Sequence, residues 1–307
     1  MIKNISLCLA FCVLLAFGRW AGVAQVRNSD QGVEVPFEFY RNEVIVQVKV
    51  NGKGPFNMLL DTGTDPSAVD LTAARELGLK LESGGHPVTG GGSSANVAYA
   101  TKLPLVELGG LTAKNVSALA VDLSKISEGL GKPLAGVLGH SLLNGRVVQI
   151  DYPHRFVRFY ATSPAVKAQS NTASLTVLRF RYGDDVLIDD VFVNGKKIVG
   201  NFDTGSNGSF SLTPAAVSYL GLEDEVSRAA VTTGVGYNGA GENRQGKVSN
   251  VTVGGISVDS PAVTFFGKGT GRDRKPWGVN IGNEFLKDFV VTIDYPRKLI
   301  TLERPRN

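Results

Sequence analysis

The chain has 307 residues, of which 43% are hydrophobic and 20% charged, with 37 glycines and 13 prolines. That usage excludes a disordered, collagenous or coiled-coil protein and suits about two turn-rich globular domains. The formal charge of +4 is too small and too scattered to point to nucleic acid as a partner.

The chain opens with Lys3, an apolar run from Ile5 to Phe17, and Ala21-Gly22-Val23-Ala24 before Gln25. A basic start, a short apolar core and small residues at a break describe a secretory signal peptide over residues 1–24. A membrane anchor is the rival reading, but Arg19 interrupts the apolar run early. Cleavage after Ala24 removes both cysteines, Cys8 and Cys12, and with them disulfides and thiol chemistry. It also removes Lys3 and Arg19, lowering the formal charge from +4 to +2. The expected location is exported, periplasmic or secreted, with no stable membrane insertion after cleavage.

Residues 44–63, VIVQVKVNGKGPFNMLLDTG, return as residues 186–205, VLIDDVFVNGKKIVGNFDTG. Each stretch reads as a strand, an Asn-Gly hairpin turn at Asn51-Gly52 or Asn194-Gly195, a second strand and Asp-Thr-Gly. Helical spacing follows at Leu71–Leu77 and again at Pro214–Leu220. Glycine-rich hairpin candidates come next, Val88–Thr101 with Tyr99 and Thr232–Val248 with Tyr237. The stretch 135–160 then matches 277–303, with short helices expected at Ser141–Asn144 and Asn283–Lys287. Strands follow at Val147–Ile150 and Val290–Ile293, each before an Asp-Tyr-Pro turn. The offset is 142 residues from Asp61 to Asp203 and from Gly136 to Gly278, and 143 from Asp151 to Asp294. So long a period is a duplicated domain, not a solenoid. The expected units are residues 33–160 and 174–307, joined by a polar linker at 161–173.

Each Asp-Thr-Gly ends an apolar strand, where a carboxylate is costly unless hydrogen-bonded or paired. Two similar domains about an approximate twofold would bring both aspartates to one interface. Carboxyls held that close share one proton over a wide pH range, so one can activate water while the other polarises a carbonyl. No metal or other cofactor is needed. Asp61-Thr62-Gly63-Thr64 and Asp203-Thr204-Gly205-Ser206 resemble the two signatures of the aspartic peptidases. Val137-Leu138-Gly139 and Ile281-Gly282 are similar to the hydrophobic-glycine element that passes beneath each catalytic loop in that clan. Domains of this size resemble the retropepsin-like group, fused in one chain as in pepsins.

The resemblance implies a mostly β body of two duplicated acid-protease β-barrel domains, pseudo-twofold and bilobed, with a cleft between them. It implies an endopeptidase acting on peptide or protein, working as a monomer. Asp61 and Asp203 would be the catalytic dyad, with Thr62 and Thr204 bracing the loops. Gly63, Gly205 and Asp65 would meet substrate, and Thr64, Ser206, Gly139 and Gly282 would support the site. Hydroxyls from Thr64 and Ser206 onto the carboxylates would skew activity toward acidic pH. Asn280 stands where the second glycine element usually has an apolar residue, so it needs a polar partner if buried. The rival function is a peptide-binding relative that keeps the cleft without turnover.

Three other patterns carry little. Gly234–Gly239 fits G-x-G-x-x-G but has no helix signal after it. His86, His140 and His154 lack the spacing of a zinc site. Arg272–Lys275 reads as a solvated loop.

Overall fold

A computed structural model describes residues 32–88, 90–160, 172–272 and 275–305. The expected signal peptide lies outside the described residues, as does the linker through residue 171, while Thr172 and Ala173 belong to a strand. The N-terminal half runs β1 (Val33–Tyr40), β2 (Glu43–Val50), β3 (Lys53–Leu60), β4 (Ser67–Asp70), α1 (Leu71–Glu76), β5 (His86–Pro87), β6 (Val97–Leu108), β7 (Leu111–Val121), α2 (Ser124–Leu130), β8 (Gly136–Leu138), α3 (His140–Leu143), β9 (Val147–Asp151) and β10 (Phe156–Tyr160). The C-terminal half repeats the plan: β11 (Thr172–Gly183), β12 (Asp185–Val193), β13 (Lys196–Phe202), β14 (Phe210–Leu212), α4 (Pro214–Leu220), α5 (Glu223–Arg228), β15 (Ala230–Gly236), β16 (Gly239–Lys247), β17 (Asn250–Val253), β18 (Ile256–Asp259), β19 (Ala262–Phe266), β20 (Val279–Ile281), α6 (Asn283–Leu286), β21 (Val290–Asp294) and β22 (Leu299–Pro305).

Local chemistry explains the shared elements. Asn51-Gly52 and Asn194-Gly195 all take positive φ (53°, 74°, 49° and 76°), the backbone that a two-residue hairpin turn demands. Asp70 caps α1 by accepting from the Thr72 and Ala73 amides. Thr213 caps α4 by accepting from Ala216, Pro214 opens that helix, and Gly221 closes it in the left-handed conformation. Two helices escape the sequence reading for a physical reason: α2 buries only Leu130 and α5 buries nothing, so neither carries an apolar period.

The halves meet through one six-stranded antiparallel sheet in the order β1-β10-β9-β21-β22-β11. Its centre is the β9–β21 pair, where Gln149 faces Thr292 and donates to its hydroxyl at 3.0 Å. Within each half a short strand lies between two others: β8 pairs with β3 and β4, and β20 with β13 and β14. That wedge carries a glycine element directly under each Asp-Thr-Gly loop.

Candidate active site

The two loops cross at the pseudo-twofold axis and hold each other by a reciprocal set of hydrogen bonds. Thr62 N donates to Thr204 Oγ1 (3.0 Å) and Thr62 Oγ1 to Phe202 O (2.8 Å). Thr204 N donates to Thr62 Oγ1 (3.1 Å) and Thr204 Oγ1 to Leu60 O (2.9 Å). Both threonines are fully buried, so these four bonds work without competition from water.

That grip brings the carboxyls of Asp61 and Asp203 within hydrogen-bonding reach of each other. A Cβ on Gly63 would stand 2.8 Å from Asp203 Oδ1, and one on Gly205 would collide with the Asp61 carboxyl. Only glycine lets the loops pass this closely. Each glycine also donates its amide to its own loop's aspartate, Gly63 N to Asp61 Oδ1 (2.6 Å) and Gly205 N to Asp203 Oδ1 (2.9 Å). Burial and then the neighbouring Asp203 push the Asp61 carboxyl up to about 7, against the lowering pull of Thr64 and Gly63.

The glycine elements sit where the sequence pattern expects them. His140 N donates to Thr64 O (2.9 Å) and Asn283 N to Ser206 O (2.7 Å). A Cβ on Gly139 would strike Thr64 O, and one on Gly282 would crowd Gly208 O and Ser206 O. Leu138 O and Ile281 O in turn accept from the amides of Asp61 and Asp203.

Beyond this symmetric base the expected side chains divide. Thr64 Oγ1 donates to Asp61 Oδ2 at 2.5 Å, but Ser206 has no such bond to Asp203. Asn280 takes that place, donating Nδ2 to Asp203 Oδ2 (2.7 Å) while accepting from Asn201 Nδ2 (2.7 Å). The polar partner that a buried Asn280 requires is therefore the aspartate itself. Asp65 is exposed and accepts from the Tyr182 hydroxyl of the other half at 2.9 Å.

The roof comes chiefly from the C-terminal half. Strands β15 and β16 form a hairpin whose tip, Tyr237, lies 3.1 Å by its hydroxyl from Thr64 Oγ1. The G-x-G-x-x-G pattern is this hairpin tip. In the N-terminal half the equivalent stretch is a loop that grips the hairpin: Ser94 N donates to Asn238 O (2.8 Å), Asn238 N to Gly91 O (2.8 Å) and Asn96 Nδ2 to Tyr237 O (2.7 Å). Tyr99 instead pairs within the β6–β7 ladder opposite Ala120.

Under this roof lies a cavity of about 370 Å³ that reaches Asp203, Gly205, Glu43 and Arg272. The run at 272–275 is not a solvated loop at either end. The Arg272 guanidinium lies 4.1 Å from the Phe266 ring centroid, and burial lowers it from its usual value. Lys275 pairs with the buried Asp185 at 3.1 Å to both oxygens. Sequence reasoning missed Glu43 and Asp185, although the 142-residue offset aligns them. Among the described residues no cluster of three or more His, Cys, Asp or Glu is set to hold a metal ion, and no helix is long and apolar enough to cross a membrane.

Comparison with known proteins agrees with this geometry. A search of curated proteins gave no match. The family profile described as aspartyl protease matches twice, over residues 46–142 and 190–285, once in each half and across one Asp-Thr-Gly loop each time. The chain belongs to the aspartyl protease family, as a duplicated, mostly β member with two repeated domains.

Proposed function

We propose that this protein is an aspartic endopeptidase that hydrolyses peptide bonds with Asp61 and Asp203 as its general acid and base. The observation that carries the reading is the pair of hydrogen-bonded carboxyls on two mutually gripped loops, one of them raised to about 7. Asp61 holds the shared proton and Asp203 takes a proton from water as the water oxygen bonds to the substrate carbonyl carbon. Asp61 gives its proton to the carbonyl oxygen, leaving a neutral tetrahedral diol. The C–N bond then breaks as Asp203 returns a proton to the amine, while Asp61 recovers one from a diol hydroxyl. The chain carries both aspartates, so it acts as a monomer. The basic, apolar and small-residue order of residues 1–24 supports export.

The test is cleavage of a denatured protein at acidic pH, with and without a statine-type inhibitor. Asp61→Asn and Asp203→Asn should each lower the rate by on the order of 10³-fold or more, the usual scale for losing a general acid or base. Cleavage by either variant at the wild-type rate overturns the assignment, and binding without turnover by the wild type leaves the peptide-binding reading in its place.

A further inference from the structure

Each aspartate of the pair has a second buried acid beside it. In the β2–β3 ladder Ile45 faces Leu59 and Val46 faces Met58, and the same register continued sets Glu43 opposite Asp61. In the β12–β13 ladder Leu187 faces Asn201, which sets Asp185 opposite Asp203. Glu43 is 8% exposed and Asp185 3%. The two are counterparts in the repeat, yet their surroundings differ. Asp185 is neutralised by Lys275. Among the described residues no cation pairs with Glu43, and its Oε2 is buried without a hydrogen-bond partner. An ionised carboxylate in that condition is among the costliest groups a protein can bury.

Glu43 borders the cavity under the roof, and Leu59, Ile126 and Leu130 give that cavity an apolar wall. Leu59 and Leu130, with the partly buried Ile126, belong to one packed cluster that includes Ile45, two residues along the strand from Glu43. A buried acid at the end of an apolar wall suits a long basic side chain, whose methylenes lie on leucine and isoleucine while its charged head meets the carboxylate. The cations already at the cavity edge are committed elsewhere. Arg41 donates to Gly129 O (2.8 Å), and Arg272 lies over Phe266.

We propose that Glu43 is the charged end of a substrate subsite that accepts an arginine or lysine side chain beside the bond to be cut. The proposal rests on the peptidase reading above. Without a ligand, burial and then the nearby Asp61 and Asp203 push the Glu43 carboxyl well above its usual value. The other titratable group it faces is the Tyr152 hydroxyl, itself raised by burial and by Glu43. An arriving guanidinium or ammonium supplies the counter-charge that Lys275 supplies to Asp185.

The experiment uses two peptide pools, identical in mixed flanking positions but carrying a fixed arginine or a fixed citrulline, which keeps the shape and removes the charge. Binding is measured by calorimetry on full-length Asp61→Asn protein, alone and with Glu43→Gln added. The arginine pool should bind about tenfold tighter, the worth of one charge-assisted hydrogen bond, and the added substitution should erase that preference while leaving citrulline binding intact. Equal binding of the two pools, or a preference that survives Glu43→Gln, overturns the subsite. Should Glu43→Gln lose both pools, Glu43→Asp decides: restored arginine preference supports the subsite and its absence refutes it. Cleavage of both pools by the wild type at one rate refutes the subsite and leaves the peptidase intact. Selective binding with no cleavage keeps the subsite and refutes the peptidase.

Discussion

In the C-terminal half the aspartate of the site leans on an amide; in the N-terminal half it leans on a hydroxyl. Asn280 reaches Asp203 from β20, whereas its counterpart one repeat earlier is the apolar Val137, and Thr64 serves Asp61 instead. Behind the loops the contrast recurs. Tyr152 donates to Asn283 Oδ1 (2.6 Å) and Asn283 Nδ2 to Thr204 O (2.7 Å), a buried chain supporting the second loop. The matching positions under the first loop, His140 and Tyr295, meet edge to face at 5.4 Å, and His140 Nδ1 and the Tyr295 hydroxyl have no hydrogen-bond partner among the described residues. Asp61 is 9% exposed while Asp203 is half-buried and borders the cavity. Two identical subunits could not differ in this way about an exact twofold. Fusing the copies lets one aspartate be buried while the other faces the cavity.

Titration offers the largest handle on that difference. The Asp61 carboxyl is raised from 3.8 to about 7 by burial and by Asp203, so the folded state binds its proton more tightly than the unfolded chain does. The stabilisation is complete below about pH 4 and is lost as pH rises through about 7, by up to about 4 kcal/mol. Thermal unfolding of wild type and Asp61→Asn across that range should show the wild type losing stability relative to the variant. Parallel curves would mean that Asp61 is not the group that holds the proton. Activity should fall over the same window, since the mechanism needs one proton on the pair.

The grip is the part of the site in which the halves agree, and its variants should agree too. Thr62→Val and Thr204→Val each remove a hydroxyl that donates to one buried carbonyl and accepts from one buried amide across the axis. Each loss should cost about 2–4 kcal/mol, read from denaturant midpoints. A large cost for one threonine and none for the other would mean that the symmetry of the four bonds hides an unequal load.

The aspartates, the glycines beneath them and the hairpins before them were all legible in the sequence, because each is set by a short contiguous pattern. Asn51-Gly52 needs its two positive φ angles whatever surrounds it, and Asp61-Thr62-Gly63 turns the same way in both copies. What was not legible depends on contacts between distant segments. Asp65 lies beside the site in sequence, yet its carboxylate accepts from Tyr182 of the other half. Arg272 sits in a charged run that reads as solvated until Phe266 is placed under it. Glu43 looks like an ordinary strand-edge acid, and only its alignment with Asp185 hints that both positions are buried.

Tyr237 and Tyr99 are the finest point of the comparison, since sequence made them equal candidates for the roof. Tyr237 sits at a hairpin tip held by the Gly91–Asn96 loop, and its hydroxyl completes a path through Thr64 to Asp61 Oδ2. Tyr99 is fixed in a ladder opposite Ala120, with its ring packed near Gly85. Tyr237→Phe keeps the ring and removes one hydrogen bond, so kcat/KM should fall by roughly three- to tenfold, the worth of a single buried bond. Tyr99→Phe should leave it unchanged. The loss in Tyr237→Phe should grow when Thr64 is intact and vanish in a Thr64→Val background, because the hydroxyl acts only through that side chain. If the two losses simply add, the Tyr237 hydroxyl acts independently of Thr64, and if Tyr237→Phe costs nothing, Tyr237 contributes by covering the site and the roof is a lid whose chemistry lies in its shape.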